Sequence, residues 1–264
     1  MMKKALWTLL VPALIVATAC SSDSSSSAAT SASSPAAGTE LTVFAASSLT
    51  GAFTQMGTDF ETANPGVHVT FNFGSSTDLA AQIASEGTAD VFASASGTAM
   101  DAAAADPGVE DRADFATNQL VIITPSDDPA NIGSVDDLAN EGVQVVLAAE
   151  GVPVGDYARE MLDNAGISKD VLANVVSNEP DDASVVAKVS SGEADAGIVY
   201  TSDITTADVG SVAVPADINV TATYPIAVVT GATQSDLATS FVTYVTGAPG
   251  QATLATFGFG PPPG

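Results

Sequence analysis

Two serine pairs, Ser47-Ser48 and Ser75-Ser76, stand where an apolar strand-forming run gives way to a helical spacing of apolar residues. Residues 41–46 are short and apolar, whereas from Leu49 the apolar positions are Leu49, Phe53, Met56 and Phe60, a period close to that of a helix. Residues 67–73 (VHVTFNF) lead through Gly74 into the second pair, after which Leu79, Ala80 and Ile83 form the next helical face. Serine at such a junction is a preferred cap, because its oxygen accepts from a first turn whose N–H groups lack intrahelical partners. Those same N–H groups and hydroxyls are a donor set for an anion. One corner alone means little more than a cap, but a second of the same kind makes anion binding worth following along the chain.

Three later stretches add to the set. Residues 151–155 (GVPVG) follow the strand-like 143–149 and open a helix whose apolar face is Val154, Tyr157, Ala158, Met161 and Leu162. Asp181-Asp182 open the helix that carries Val185, Val186 and Val189, and acidic residues there are expected to cap it and offset its dipole. Tyr200 ends the buried strand 195–200 (DAGIVY), a place where an aromatic body is covered and its hydroxyl finds a polar partner or water.

The elements that must position these residues alternate. Strands are predicted over 89–95, 115–125, 143–149, 171–177, 195–200, 209–215 and 220–229, and helices over 98–105, around Leu138 behind Ser134 and Asp137, and over 233–246 and 249–257. Alternation of this kind predicts an α/β fold with largely parallel sheets. The polar stretch 126–132 marks a crossing into a second half.

The first residues have another purpose. Met1-Met2-Lys3-Lys4, the apolar 5–16 and Ala17-Thr18-Ala19-Cys20 read as an export leader too short for a comfortable membrane span. The only cysteine, Cys20, directly after small residues, fits a lipoprotein cleavage site at which it becomes the lipidated N-terminus; an ordinary signal peptide with an incidental cysteine is the alternative. Residues 21–38 are almost entirely Ser, Ala and Thr, a composition expected to form a flexible tether. The chain carries 31 acidic and 6 basic residues, a formal net charge of −25. Lys3 and Lys4 lie in the leader, so Arg112, Arg159, Lys169 and Lys188 are the cations that remain. Such acidity argues against nucleic acid and against direct adhesion to anionic lipid. It also means that a bound anion must rely on backbone N–H groups, hydroxyls and helix termini.

Six motifs, TVFAASSLT (42–50), FGSSTDLAAQI (73–83), ADVFASA (89–95), VPVGDYA (152–158), GIVYTSD (197–203) and YPIAVV (224–229), occur in one order over residues 41–259. The chain in this respect resembles the periplasmic molybdate-binding proteins of ABC transporters, within the two-lobed extracytoplasmic solute-binding proteins. The resemblance implies a type II periplasmic-binding-protein-like α/β fold, each lobe a mostly parallel sheet flanked by helices, with the ligand in the cleft. It divides the chain into a signal peptide (1–19), lipidated Cys20 with a tether (20–39), lobe I (40–121 and 226–264) and lobe II (122–225). It places oxyanion donors at Ser48, Ser76, the backbone of Val154, the backbone of Asp182 and the hydroxyl of Tyr200. Relatives often have an apolar residue where Asp182 stands; its carboxylate is expected to serve the helix start and turn away from the anion, the alternative being one aimed inward that repels a dianion or accepts a proton from a partly protonated one. Molybdenum would arrive only as the centre of molybdate, with tungstate as a near-isostere; no direct cation site, cofactor or enzymatic activity is implied. The implied partners are the oxyanion and an ABC permease, with membrane contact through the lipid anchor alone, a monomeric state and a location facing outside the cytoplasm.

A site built only of donors rejects hydrogen phosphate, whose proton needs an acceptor. Sulfate can be rejected only by size, so sulfate or another tetrahedral oxyanion is the alternative within this class. A serine hydrolase is the alternative outside it, opposed by a single histidine, His68, on a strand face with Thr70 and Asn72, and by the lack of a G-x-S-x-G elbow. A surface-anchored interaction protein without a small ligand is the third.

Overall fold

The computed structural model describes residues 38–264; the leader, Cys20 and all but the end of the expected tether lie outside the described residues. In chain order the elements are β1 (Thr39–Ala46), α1 (Thr50–Ala63), β2 (Val67–Gly74), α2 (Ser76–Glu86), β3 (Val91–Ala93), α3 (Gly97–Ala105) and β4 (Val109–Thr124). Next come β5 (Val145–Ala148), α4 (Pro153–Ala165), α5 (Ser168–Ala173), β6 (Val175–Glu179), α6 (Asp182–Ser190), β7 (Ala196–Tyr200) and β8 (Gly210–Ala213). β9 (Thr221–Val229), α7 (Ser235–Thr246) and α8 (Ala248–Thr256) complete the chain.

The strands follow the order β2-β1-β3-β9-β4-β7-β5-β6, with β8 alongside β4. β1, β2 and β3 are mutually parallel, as are β5, β6 and β7, and such neighbours require the helical crossovers found between them. Antiparallel pairing is confined to contacts made by β9 and β4, so the sheet is mixed where its two parallel halves meet. The long β4 runs through both halves: residues 109–119 pair with β9, and residues 120–124 with β7 and β8. At the crossing a side chain completes the ladder. Asn219 Oδ1 accepts the Leu120 N–H at 3.1 Å while its Nδ2 donates to the Leu120 carbonyl at 2.9 Å.

Apolar faces hold the helices on the sheet. In the first half Phe53 of α1 packs on Phe71, Phe115 and Phe241 with ring centroids 6.2, 5.9 and 6.0 Å apart, and aromatic burial on this scale dominates core energetics. In the second half Val154, Ala158, Met161 and Leu162 of α4 and Val185 and Val189 of α6 are buried. The strand predicted over 171–177 is corrected: residues 171–173 close the short α5, and β6 begins only at Val175. Val171 is buried as a helical residue, and a short apolar run does not distinguish the two states.

Candidate functional site

The five residues expected to hold the oxyanion lie at or just past the carboxyl end of a strand. β1 passes into a 3-10 turn (Ser47–Leu49) before α1, β2 passes through Ser75 into α2, β5 leads into α4, β6 into α6, and β7 ends on Tyr200. In open α/β sheets the crevice outside the carboxyl ends of the strands is where ligands bind. Ser48, Ser76, Val154, Asp182 and Tyr200 line one small cavity there, and Ser47, Ser75 and Pro153 share its wall. No lysine or arginine lines it.

The serines are not caps. Neither the 3-10 turn nor α1 nor α2 receives a side-chain capping bond, which corrects the simplest reading of the junctions. Ser48 Oγ instead shares a buried hydrogen bond with the Tyr224 hydroxyl at 2.9 Å, and Ser76 Oγ accepts the Ala95 N–H at 2.9 Å. Among the described residues Ser75 Oγ, Asp182 Oδ2 and the Tyr200 hydroxyl, all on the cavity wall, are buried without a partner, as is Arg159 Nε outside it. Buried polar atoms are nearly always paired, so three such atoms around one cavity mark a site whose hydrogen bonds are completed by a ligand or solvent.

Backbone donors come from the helix starts. Ser76, Val154 and Asp182 sit in the first turns of α2, α4 and α6, where N–H groups lack intrahelical acceptors and the helix dipole is positive. Pro153 occupies the first turn of α4, where its missing N–H costs nothing. Gly155 lets this turn approach β5: a Cβ there would collide with the carbonyl oxygens of Ala148 and Ala149. Arg159 fixes the same turn by donating to the carbonyls of Ala148 and Gly155 at 2.9 and 2.8 Å. The Thr77 hydroxyl donates to the Gly151 carbonyl, joining the start of α2 to the loop before α4.

The acidic pair divides its roles. Asp181 caps α6, accepting the Ser184 N–H at 2.8 Å, whereas Asp182, only 3% exposed, lines the cavity, and its Oδ2 is buried without a partner among the described residues. Asp181 alone fills the capping position, so capping does not account for the buried Asp182 carboxyl. Burial and the charge of Asp181 push the Asp182 carboxyl up to about 7, even though Asp203 and the amides of Asp182 and Ala183 act in the opposite direction. Asp203 lies behind it and accepts the Tyr200 N–H at 2.9 Å. It is partly exposed as a residue, yet its carboxyl is densely surrounded, and burial together with Asp182 raises it well above the carboxylate range. Burial likewise raises the Tyr200 and Tyr224 hydroxyls, so both remain protonated donors.

Tyr224 and Asp203 belong to the site and were not singled out from the sequence. Both fall inside quoted motifs, YPIAVV and GIVYTSD, but only folding brings Tyr224 to Ser48, 176 positions away. His68 is on the surface, paired with Glu61 at 2.9 Å; Ser48 and Ser76 are instead bonded to Tyr224 and Ala95. Among the described residues no cluster of three or more His, Cys, Asp or Glu side chains is arranged to hold a metal ion.

Residues 41–260 match the family described as bacterial extracellular solute-binding protein. The molybdate-binding protein ModA of Mycobacterium tuberculosis is 40% identical over 262 residues, covering 96% of this chain and 97% of its own. ModA of Escherichia coli is 34% identical over 230 residues, covering 83% and 88%. The solved periplasmic molybdate-binding protein of Azotobacter vinelandii superimposes with a TM-score of 0.75 over 84% of this chain and all of its own; at 21% identity that likeness speaks for the fold.

Proposed function

Because the chain belongs to the bacterial extracellular solute-binding proteins, and among them is related at 40% identity to molybdate-binding proteins, we propose that it captures molybdate outside the cytoplasm and delivers it to an ABC transporter. It is a binding component of transport, not an enzyme. The observation that carries this reading is the cavity lined by neutral donors at three helix starts, with buried hydroxyls at Ser75 and Tyr200 that have no partner among the described residues.

In this reading the oxyanion receives hydrogen bonds from Ser48, Ser76 and Tyr200 and from the backbone at Val154 and Asp182. Each charge-assisted bond contributes roughly 1.5–3 kcal/mol, so five offset an association cost of about 4–15 kcal/mol. Tungstate, with the same charge and shape, shares the site. Residues 40–121 and 226–264 form one lobe and 122–225 the other, the oxyanion lies between them, and closure creates the surface a permease recognises. Cys20 carries a lipid anchor that holds the protein, as a monomer, on the outer face of the membrane.

Titration calorimetry with molybdate, tungstate, sulfate and phosphate tests the reading. Tight binding of the first two with weak or absent binding of the others is expected. Sulfate binding as tight as molybdate would reassign the ligand, and no response to any oxyanion would refute the site.

A further inference from the structure

A dianion that enters a cavity lined by a carboxylate meets charge repulsion, and the oxyanion site here contains the buried carboxyl of Asp182. Its Oδ2 has no partner among the described residues, it lines the same cavity as Ser48, Ser76, Val154 and Tyr200, and it is 3% exposed. Asp203 backs it, hydrogen-bonded to Asp182 and anchored by the Tyr200 N–H at 2.9 Å. Two buried carboxyls in contact cannot both ionise without great cost, so such a pair holds at least one proton.

The surroundings supply no cation to change this. On α6 itself Asp181 adds negative charge, and Lys188 at the far end is held by Glu179 of β6 at 2.9 Å. β7 contributes Tyr200, β9 Tyr224 and α4 Tyr157, all neutral hydroxyls. β5, residues 120–124 of β4 and the 3-10 turn at Ser47–Leu49 contribute no titratable group. Arg159 of α4 is engaged with the Ala148 and Gly155 carbonyls and with Asn178.

Resting on the oxyanion reading of this site, we propose that Asp182, backed by Asp203, is a specificity-determining residue that is protonated in the bound state and donates its O–H to the oxyanion, so that capture of a dianion takes up a proton. The empty pair shares one proton, on the side of Asp203, and carries one charge. The second proton comes from solvent, sits on Asp182 Oδ2 and forms the O–H···O bond to the ligand, leaving the pair neutral. Position 182, which otherwise supplies only a backbone N–H, thus gains a side-chain donor that is present only when protonated. The Asp182 carboxyl titrates near 7 in the empty site, and an adjacent dianion raises it further. Uptake is therefore nearly complete at pH 8, and affinity falls as pH rises above about 7.

The test is calorimetry of the full chain with molybdate, which stays a dianion from pH 6.5 to 8.5, in buffers of different ionisation enthalpy. At pH 8 the wild type is expected to take up close to one proton per molybdate, with affinity falling up to about tenfold per pH unit above neutrality. Asp182→Asn, whose amide donates at every pH, should bind with no proton uptake and a flat pH profile. Binding by the wild type with no uptake and a flat profile overturns this inference and leaves the ligand reading standing. So does hydrogen phosphate binding that depends on Asp182, which would make the carboxylate an acceptor. Absence of molybdate binding at every pH overturns the ligand reading and this inference together. The wild-type proton count decides the matter even if the variant fails to fold.

Discussion

Replacing Tyr200 by phenylalanine separates what the protein needs to bind from what it needs to fold. The ring is 1% exposed and packs on Tyr224 at 5.8 Å between centroids, contacts that phenylalanine keeps. The hydroxyl has no partner among the described residues, and a buried unsatisfied hydroxyl costs about 1–3 kcal/mol. The unliganded Tyr200→Phe protein should therefore be as stable as the wild type or more so. In the bound state the same hydroxyl donates to an anion, and losing a bond worth roughly 1.5–3 kcal/mol weakens binding roughly 10- to 150-fold. Ser48→Ala supplies the contrast: it removes the 2.9 Å bond to the Tyr224 hydroxyl and should reduce both affinity and unliganded stability, the latter by about 1 kcal/mol. Calorimetric titration and thermal unfolding, each with and without molybdate, read both quantities. Unchanged affinity in Tyr200→Phe, or a loss of unliganded stability matching that of Ser48→Ala, would refute the reasoning.

Gly155→Ala forces a Cβ against the Ala148 and Ala149 carbonyls; an overpacking cost of about 1–3 kcal/mol and weaker molybdate binding are expected, and a wild-type melting temperature with wild-type affinity would count against the close approach. The carboxyl pair predicts a pH effect on the unliganded fold. Asp182 rises from 3.8 to about 7, so between these values the folded state holds more protons than the unfolded one and stability falls as pH rises. Urea unfolding from pH 4 to 8 should show that decline in the wild type and less of it in Asp182→Asn; a steeper decline in the variant would contradict the assignment. Cys20→Ser should move the protein from the membrane fraction to the medium with ligand affinity unchanged, and equal membrane retention would argue against the lipid anchor.

The strand-to-helix alternation was legible because periods of two and 3.6 differ over the length of most elements; it failed at residues 171–173, where the apolar run is too short to show either. The serine corners were legible as places but not as roles, since the chemistry that suits serine to capping also suits it to donating into a cavity. Only packing decided: Ser48 finds Tyr224 and Ser76 finds Ala95 instead of their own helix starts. Asp181 and Asp182 are chemically identical in sequence, and a rotation of one residue about the start of α6 makes one a cap and the other a buried acid. Asp203 could not be found behind Asp182, 21 positions earlier, without β7 returning the chain to the site.

A side chain can swing away where a paired strand cannot, and at the crossing of β4 it is Asn219 that occupies both backbone groups of Leu120. If the halves rotate about this point, the Leu120 amide is released without any neighbouring ladder being broken. Its exchange with deuterated solvent should then follow the small free energy of local opening and not that of global unfolding. Slower exchange on adding molybdate would make this one amide a clock for the opening of the cleft, readable in the native protein with no label attached.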